Sequence, residues 1–267
     1  MKKNKDLLIT IFGGWFGLHY FCNKKYKKGL IYLFTCGLFF VGWWHDIYKE
    51  YKAIKVREAY YNQKQKRISE IEEIINNTAT LKYNVSEKNI TYDVINGKKV
   101  VKDYIVLDFE TTGLHSSHDK IIEFTFLKYI NNVLVDEYSS LVNPECHIPT
   151  KITDLTGITN EMIKNEKPIK DDIINILKFI DGFTLIGHNI CSFDFNFLKQ
   201  AIEDNTKLNN NIEFNCIDTL IMAQELLPDL DNHRLATLKG YLKIECGSHR
   251  SKEDCEVTAK LYKYLTK

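Results

Sequence analysis

Two apolar runs open the chain, LLITIFGGWFGLHYFC and LIYLFTCGLFFVGWWHDIY, with the polar loop NKKYKKG between them. Each is about 16 to 19 residues long, close to the roughly 17 needed to cross a bilayer, and together they predict an all-α, two-helix transmembrane hairpin over residues 7–48. From Tyr48 to Asn76 the sequence is charged and lacks Gly and Pro. Ile68, Ile71 and Ile75 fall there at helical spacing, which predicts an exposed helix. Asn96-Gly97 between TYDVI and KKVVKDYIVL predicts a tight β-hairpin. Beyond it the apolar run Tyr104 to Leu107 reads as a buried strand that Thr111, Thr112 and Gly113 break. FTLIG reads as a second short strand followed by a helix carrying Phe193, Phe197 and Leu198. The chain closes on an amphipathic helix with Val257, Leu261 and Leu265 on one stripe. The pattern divides the protein into a hairpin (1–48), a charged helical connector (49–100) and a domain over 101–267.

Charge sharpens that division. The 267 residues carry a formal net charge of +1. Residues 1–100 hold 18 Lys+Arg against 9 Asp+Glu, whereas residues 101–267 hold 18 against 26, so the two parts present opposite surfaces. Lys2, Lys3, Lys5, Lys49, Lys52, Lys55 and Arg57 flank the hairpin, against Lys24, Lys25, Lys27 and Lys28 in its loop. Counting positive charges puts both termini, and the domain that follows, in the cytoplasm. A cleaved signal peptide would also begin with lysines and an apolar core, but no small-residue cleavage site follows. A buried helical hairpin in a soluble core is the other reading of two short apolar runs. Seven cysteines without a Cys-x-x-Cys pair read as reduced thiols. The Asn-x-Ser/Thr triplets at Asn76, Asn84 and Asn89 read as chance in an Asn-rich stretch.

The candidate chemistry lies in acids. Asp108 and Glu110 are two apart on a strand and therefore share a face. Taken alone they could be turn formers. Asp194 stands at a helix start, where an acid can simply cap or complement the dipole. Asp254 falls in the first turns of the last helix, with His249 five residues ahead, and a lone His there is often only solvated.

Taken in order, DFETTGL, KIIEF, VNPECHIPTKITDLTGITNEMI, LIGHNICSFDFNFL, CIDTLIMAQELLPDLDNHRLATL and HRSKEDCEVTAKLY resemble the proofreading 3′–5′ exonuclease subunits and domains of bacterial replicative DNA polymerases. Those belong to the histidine-bearing DEDD (DEDDh) superfamily. The resemblance implies an α/β, ribonuclease H-like exonuclease domain with a mixed central sheet over 101–267. It implies Asp108, Glu110, Asp194 and Asp254 as ligands of two Mg²⁺ or Mn²⁺ ions, with His249 as general base. Position 250 is Arg, so the Tyr-bearing subclass does not fit. By the same resemblance Thr111, Thr112, Gly113 and Leu114 contact and wedge the terminal nucleotide, and His188, Asn189 and Phe193 line the site, although His188 reads equally well as a satisfied structural histidine. At the other end FGGWFGLHYF, Gly29 and GWWHDIY resemble the two-helix membrane module called the TM-two domain, over about residues 5–48, with a loop richer in lysine than that pattern.

Phosphodiester hydrolysis needs a nucleophilic water, charge stabilisation at phosphorus and support for the leaving oxygen, and two divalent ions about 3.5–4 Å apart serve all three. Hard cations of this kind take carboxylate oxygens. An imidazole with an ordinary pKa of about 6.5 suits removal of the water proton. The expected activity is release of nucleoside 5′-monophosphates from single-stranded or other 3′ ends, DNA favoured, at a membrane. A ribonuclease of the same fold and a catalytically inactive nucleic-acid-binding module are the competing readings. The acidic balance of the domain fits transient engagement of ends through stacking and metal–phosphate contacts. No motif identifies a polymerase or repair partner.

Overall fold

The computed structural model describes residues 41–77, 93–95, 98–205, 214–245 and 249–267, in two compact units spanning Met1–Leu81 and Lys82–Lys267. Among the described residues of the first unit, helix α1 (Val41–Asn77) runs through the expected boundary at residue 48. From residue 43 onward it contains neither Gly nor Pro, so nothing in that stretch of the sequence breaks the i→i+4 ladder. The expected membrane hairpin lies, up to residue 40, outside the described residues. Among the described residues no helix is long and apolar enough to cross a membrane.

The second unit begins with strands β1 (Asp93–Ile95) and β2 (Lys98–Val100), which pair antiparallel on either side of positions 96–97. Its main sheet has five strands: β3 (Tyr104–Thr111), β4 (Ile121–Ile130), β5 (Val133–Leu141), β6 (Thr184–Gly187) and β7 (Cys216–Asp218), in the order β5-β4-β3-β6-β7. β4 runs antiparallel to β3 and β5, while β6 and β7 run parallel to β3, so the sheet is mixed as expected. Short helices α2 (Thr150–Thr156) and α3 (Asn160–Ile163) and the longer α4 (Ile169–Ile180) lead from β5 to β6. Then come α5 (Asp194–Asn205), α6 (Thr219–Leu226), α7 (Leu235–Tyr241) and the closing helix α8 (Ser251–Leu265).

β3 is buried on both faces, as befits a strand with neighbours above and below. Its two faces bury different partners. Ile105, Leu107 and Phe109 pack with Phe124 and Phe126 of β4 against α4 and α5. Tyr104 and Val106 pack with Leu127 and Tyr129 against Cys255, Ala259 and Tyr262 of α8. A strand alternates with period two, so Asp108 and Glu110 continue the Tyr104–Val106 face and rise toward the start of α8. Tyr262 fixes that helix to the entry of β3: its hydroxyl accepts from the Val101 N–H at 2.9 Å and donates to the Val101 carbonyl at 3.0 Å.

Candidate active site

Three of the expected acids meet where the sheet and α8 converge. One ligand oxygen each from Asp108, Glu110 and Asp254 lies within 4.8 Å of the others, and all three side chains are half-buried. A bulge in the β3–β4 pairing between Glu110 and Thr111 ends the regular ladder just beyond them. The donor set is entirely carboxylate oxygen, which fits a hard divalent cation and no soft one.

Asp194 reaches the same strand from the opposite direction. β6 pairs only with Tyr104 to Val106, so the backbone of β3 beyond that point needs another acceptor. Asp194, 2% exposed at the first position of α5, provides it: its Oδ1 accepts the Phe109 N–H at 3.0 Å. The acid therefore ties α5 to the residue between Asp108 and Glu110, a tertiary role that a simple helix cap would not have.

Electrostatics reflect this crowding. Burial, then the charge of Asp194, Glu110 and Asp254, holds the Asp108 carboxyl well above its ordinary range. Burial and then Asp254 and Glu123 push Glu110 up to about 8, against the pull of Arg250. Burial pushes Asp194 up to about 7 although the Phe109 N–H opposes the rise. Asp254 is raised by burial too, with the His249 amide and ring acting against it. Carboxyls crowded in this way resist ionising together unless positive charge is placed among them.

His249 stands immediately before α8 with its backbone in the left-handed region (φ 61°), and its side chain is exposed. Its N–H donates to Asp254 Oδ2 at 3.1 Å. The wedge segment is also shaped for exposure. Thr112 exchanges two hydrogen bonds with Lys120, closing the loop. A Cβ at Gly113 would meet the Asp119 carboxylate, which would have to shift to admit it. Leu114 is left 76% exposed.

The remaining expected residues divide. Asn189 takes a left-handed backbone (φ 66°) and donates its N–H to Asp218 Oδ1. Phe193 is half-buried and packs against Phe197 at the rim of the core. His188 has both ring nitrogens engaged internally: Nε2 donates to the His233 carbonyl at 2.9 Å, and Nδ1 lies 3.1 Å from Thr219 Oγ1. Burial lowers its pKa. Of the two readings the sequence left open for His188, this geometry is that of the structural one.

Two residues that sequence reasoning did not single out complete the setting. Asp218 caps α6 by accepting the Leu220 N–H and also accepts from the backbones of Asn189 and Cys191, which fixes the turn before Asp194. Glu123, in register opposite Glu110, is 5% exposed and binds Arg250 and the Ser251 N–H. An acid inside the apolar stretch KIIEF was the available signal, because a buried carboxylate demands a partner.

Residues 105–262 match the family model described as Exonuclease, and residues 2–48 match the TM2 domain. A PolC-type DNA polymerase III from Clostridium perfringens is 36% identical over 183 residues, covering 67% of this chain and 12% of the relative. The corresponding Bacillus subtilis enzyme is 34% identical over 176 residues, covering 64% and 12%. The chain thus spans about an eighth of the length of these curated relatives. Among solved structures, E. coli exonuclease I in complex with a dT13 oligonucleotide superposes with a TM-score of 0.54 at 17% identity, over 61% of this chain and 41% of that one, a likeness of fold.

Proposed function

The chain belongs to the exonuclease family, and on that footing we propose that it hydrolyses the terminal phosphodiester at nucleic-acid 3′ ends and releases nucleoside 5′-monophosphates. The observation that carries this reading is the convergence of Asp108, Glu110 and Asp254 within 4.8 Å on one face of β3 and α8, with Asp194 bonded to the same strand. Family members are divalent-metal dependent. Here Asp108, Glu110, Asp194 and Asp254 would hold two Mg²⁺ or Mn²⁺ ions, which supply charge stabilisation to the phosphoryl group and to the leaving oxygen.

The chain's own residues do the rest. His249, exposed beside Asp254, takes a proton from the attacking water as its oxygen bonds to phosphorus. The P–O3′ bond then breaks, and the 3′ oxygen of the shortened chain leaves and takes up a proton from solvent. Thr111 and Thr112 are buried at the base of a turn that leaves Leu114 exposed to wedge a terminal base, and Asn189 and Phe193 border the approach from the α5 side. His188 supports that border from within.

DNA is the favoured polymer, supported by relatives that are DNA polymerase III enzymes. We place the activity at a membrane, supported by the TM2 match over 2–48 and the two apolar runs, with both termini cytoplasmic by the lysine and arginine count. The test is digestion of matched single-stranded DNA and RNA oligonucleotides, labelled at either end, by the full chain with Mg²⁺, Mn²⁺ or EDTA. Mononucleotide release from 3′ ends of DNA, abolished by EDTA and by Asp108→Ala with Glu110→Ala, is expected. Binding without cleavage would favour the inactive module, and faster RNA digestion would favour the ribonuclease. Fractionation with and without detergent checks the tether.

A further inference from the structure

We infer that Glu123 and Arg250 form a positioning latch that holds His249 and Asp254 in their working geometry, an inference that rests on the exonuclease reading of the site. Glu123 faces the acidic cluster directly, as the register partner of Glu110. Its two oxygens are nevertheless occupied elsewhere. Arg250 Nε donates to both at 3.1 Å, Arg250 Nη2 donates to Oε1 at 2.5 Å, and the Ser251 N–H donates to Oε2 at 3.0 Å. That takes Glu123 out of the ligand set and turns it into an anchor. A bidentate arginine on a buried carboxylate fixes direction as well as distance.

What it anchors is the junction between His249 and α8. Arg250 is the N-cap residue of that helix, and its carbonyl accepts the Asp254 N–H at 3.1 Å. Ser251 adds a second tie, its hydroxyl 2.8 Å from Thr125 Oγ1, which is itself bonded to Ser139 on β5. His249 precedes this pinned turn in a left-handed conformation that a β-carbon disfavours, and such conformations persist where their surroundings over-determine them. Strand β4 thereby carries a side chain that dictates where a base and a ligand on α8 stand relative to ligands on β3. Outer partners of this kind set the affinity and rate of a metal site without touching the reacting atoms.

The experiment compares the full chain with Arg250→Ala, Arg250→Lys and Glu123→Gln, each alone and combined with His249→Ala, by steady-state kinetics on a single-stranded oligonucleotide, Mn²⁺ titration and thermal melting. The expected result is a kcat about 100-fold lower for Arg250→Ala and Glu123→Gln with KM changed less than about threefold, since a misplaced group costs rate rather than binding. Arg250→Lys recovers only part of the loss, because an ammonium cannot make the fork. In the His249→Ala background the same changes cost less than about twofold further, and Mn²⁺ affinity falls about tenfold in either background. If Arg250→Ala does not fold, Arg250→Lys carries the same comparison. Losses that multiply fully with His249→Ala, or a raised KM at unchanged kcat, would overturn the latch, the second marking Arg250 as a phosphate contact. A wild-type chain inactive on every oligonucleotide would strike the exonuclease reading instead, and the Mn²⁺ affinities would then decide the latch alone: about tenfold weaker supports it, unchanged overturns it.

Discussion

Glu110 and Glu123 face each other as a direct register pair across β3 and β4, yet only Glu123 is bound by an arginine. Two carboxylates brought to one face of a half-buried ladder repel unless cations separate them. Arg250 answers one of the pair, and the other stands with Asp108 and Asp254 in an acidic cluster whose oxygens could hold a divalent ion.

That asymmetry predicts an inverted pH response of the metal-free protein. Glu110 ionises near 4.5 when unfolded and near 8 in the fold, so between those values the unfolded chain binds fewer protons than the native one. Stability must therefore fall as pH rises through that window. Asp194, raised to about 7, and Asp108 act in the same direction. Thermal melts in EDTA should show the midpoint dropping from the mildly acidic side toward pH 8. Mg²⁺ or Mn²⁺ should restore it, with a gain that grows with pH because binding requires the ionised acids. A midpoint that stays flat in EDTA across this range would contradict the placement of these carboxyls.

Asp194 combines a charge with a backbone contact, and substitution can separate the two. Asp194→Asn keeps an oxygen to accept the Phe109 N–H while removing the charge. Its melting point without metal should equal or exceed that of the wild type, while nuclease activity is lost. Asp194→Ala strands a buried N–H and should cost about 1–3 kcal/mol on top of the same loss of activity. Comparing the two variants by melting and by oligonucleotide digestion checks both halves. Equal stability of the Asn and Ala forms would mean that the contact with β3 contributes nothing.

Much of this was legible in the sequence because it rests on local periodicity. The alternation of β3 placed Asp108 and Glu110 on one face, whereas Leu261 and Leu265 of the stripe read from the last helix pack with Ala223 and Leu238, and the face that meets β3 is Cys255, Ala259 and Tyr262. The stretch without Gly and Pro from Tyr48 onward made most of α1 legible, and Asn96-Gly97 the β1–β2 pair. What did not show was long-range. The partnership of Glu123 with Arg250 spans 127 positions, and that of Asp194 with Phe109 spans 85. Neither has a local signature beyond an acid in an apolar or helix-start setting. Asp218 was hidden for the same reason, since its task of holding the turn at Asn189 and Cys191 appears only once β6 and β7 lie side by side.

His188 illustrates how neighbours bear on a reading of residue type. With one ring nitrogen on the His233 carbonyl and the other beside Thr219, it has no free donor or acceptor for a nucleotide. His188→Ala should therefore lower stability by about 1–3 kcal/mol through the partners it leaves, and kcat and KM of the surviving folded enzyme should stay within about threefold of wild type. Denaturant melts alongside steady-state kinetics make the distinction. A several-fold rise in KM at unchanged stability would return His188 to the substrate contacts.

The exposed turn offers the sharpest separation of substrate binding from chemistry. Leu114 projects from a loop closed by the Thr112–Lys120 bonds and by the His115 N–H donating to Asp119 at 2.8 Å. At Gly113 a side chain would displace that carboxylate from its place. Gly113→Ala should push the loop from its seat, and Leu114→Ala should remove the wedge without moving the loop. Neither touches the acids, so hydrolysis of a small activated phosphodiester, which has no base to wedge, should proceed at nearly the wild-type rate in both. On an oligonucleotide both should lose kcat/KM, by about tenfold or more, as expected when a buried apolar contact worth roughly 1.5–3 kcal/mol is withdrawn from the bound complex. Equal losses on both substrates would show that the loop supports the metal ligands rather than the nucleotide, because only damage to the shared chemistry reaches a substrate that the wedge never meets.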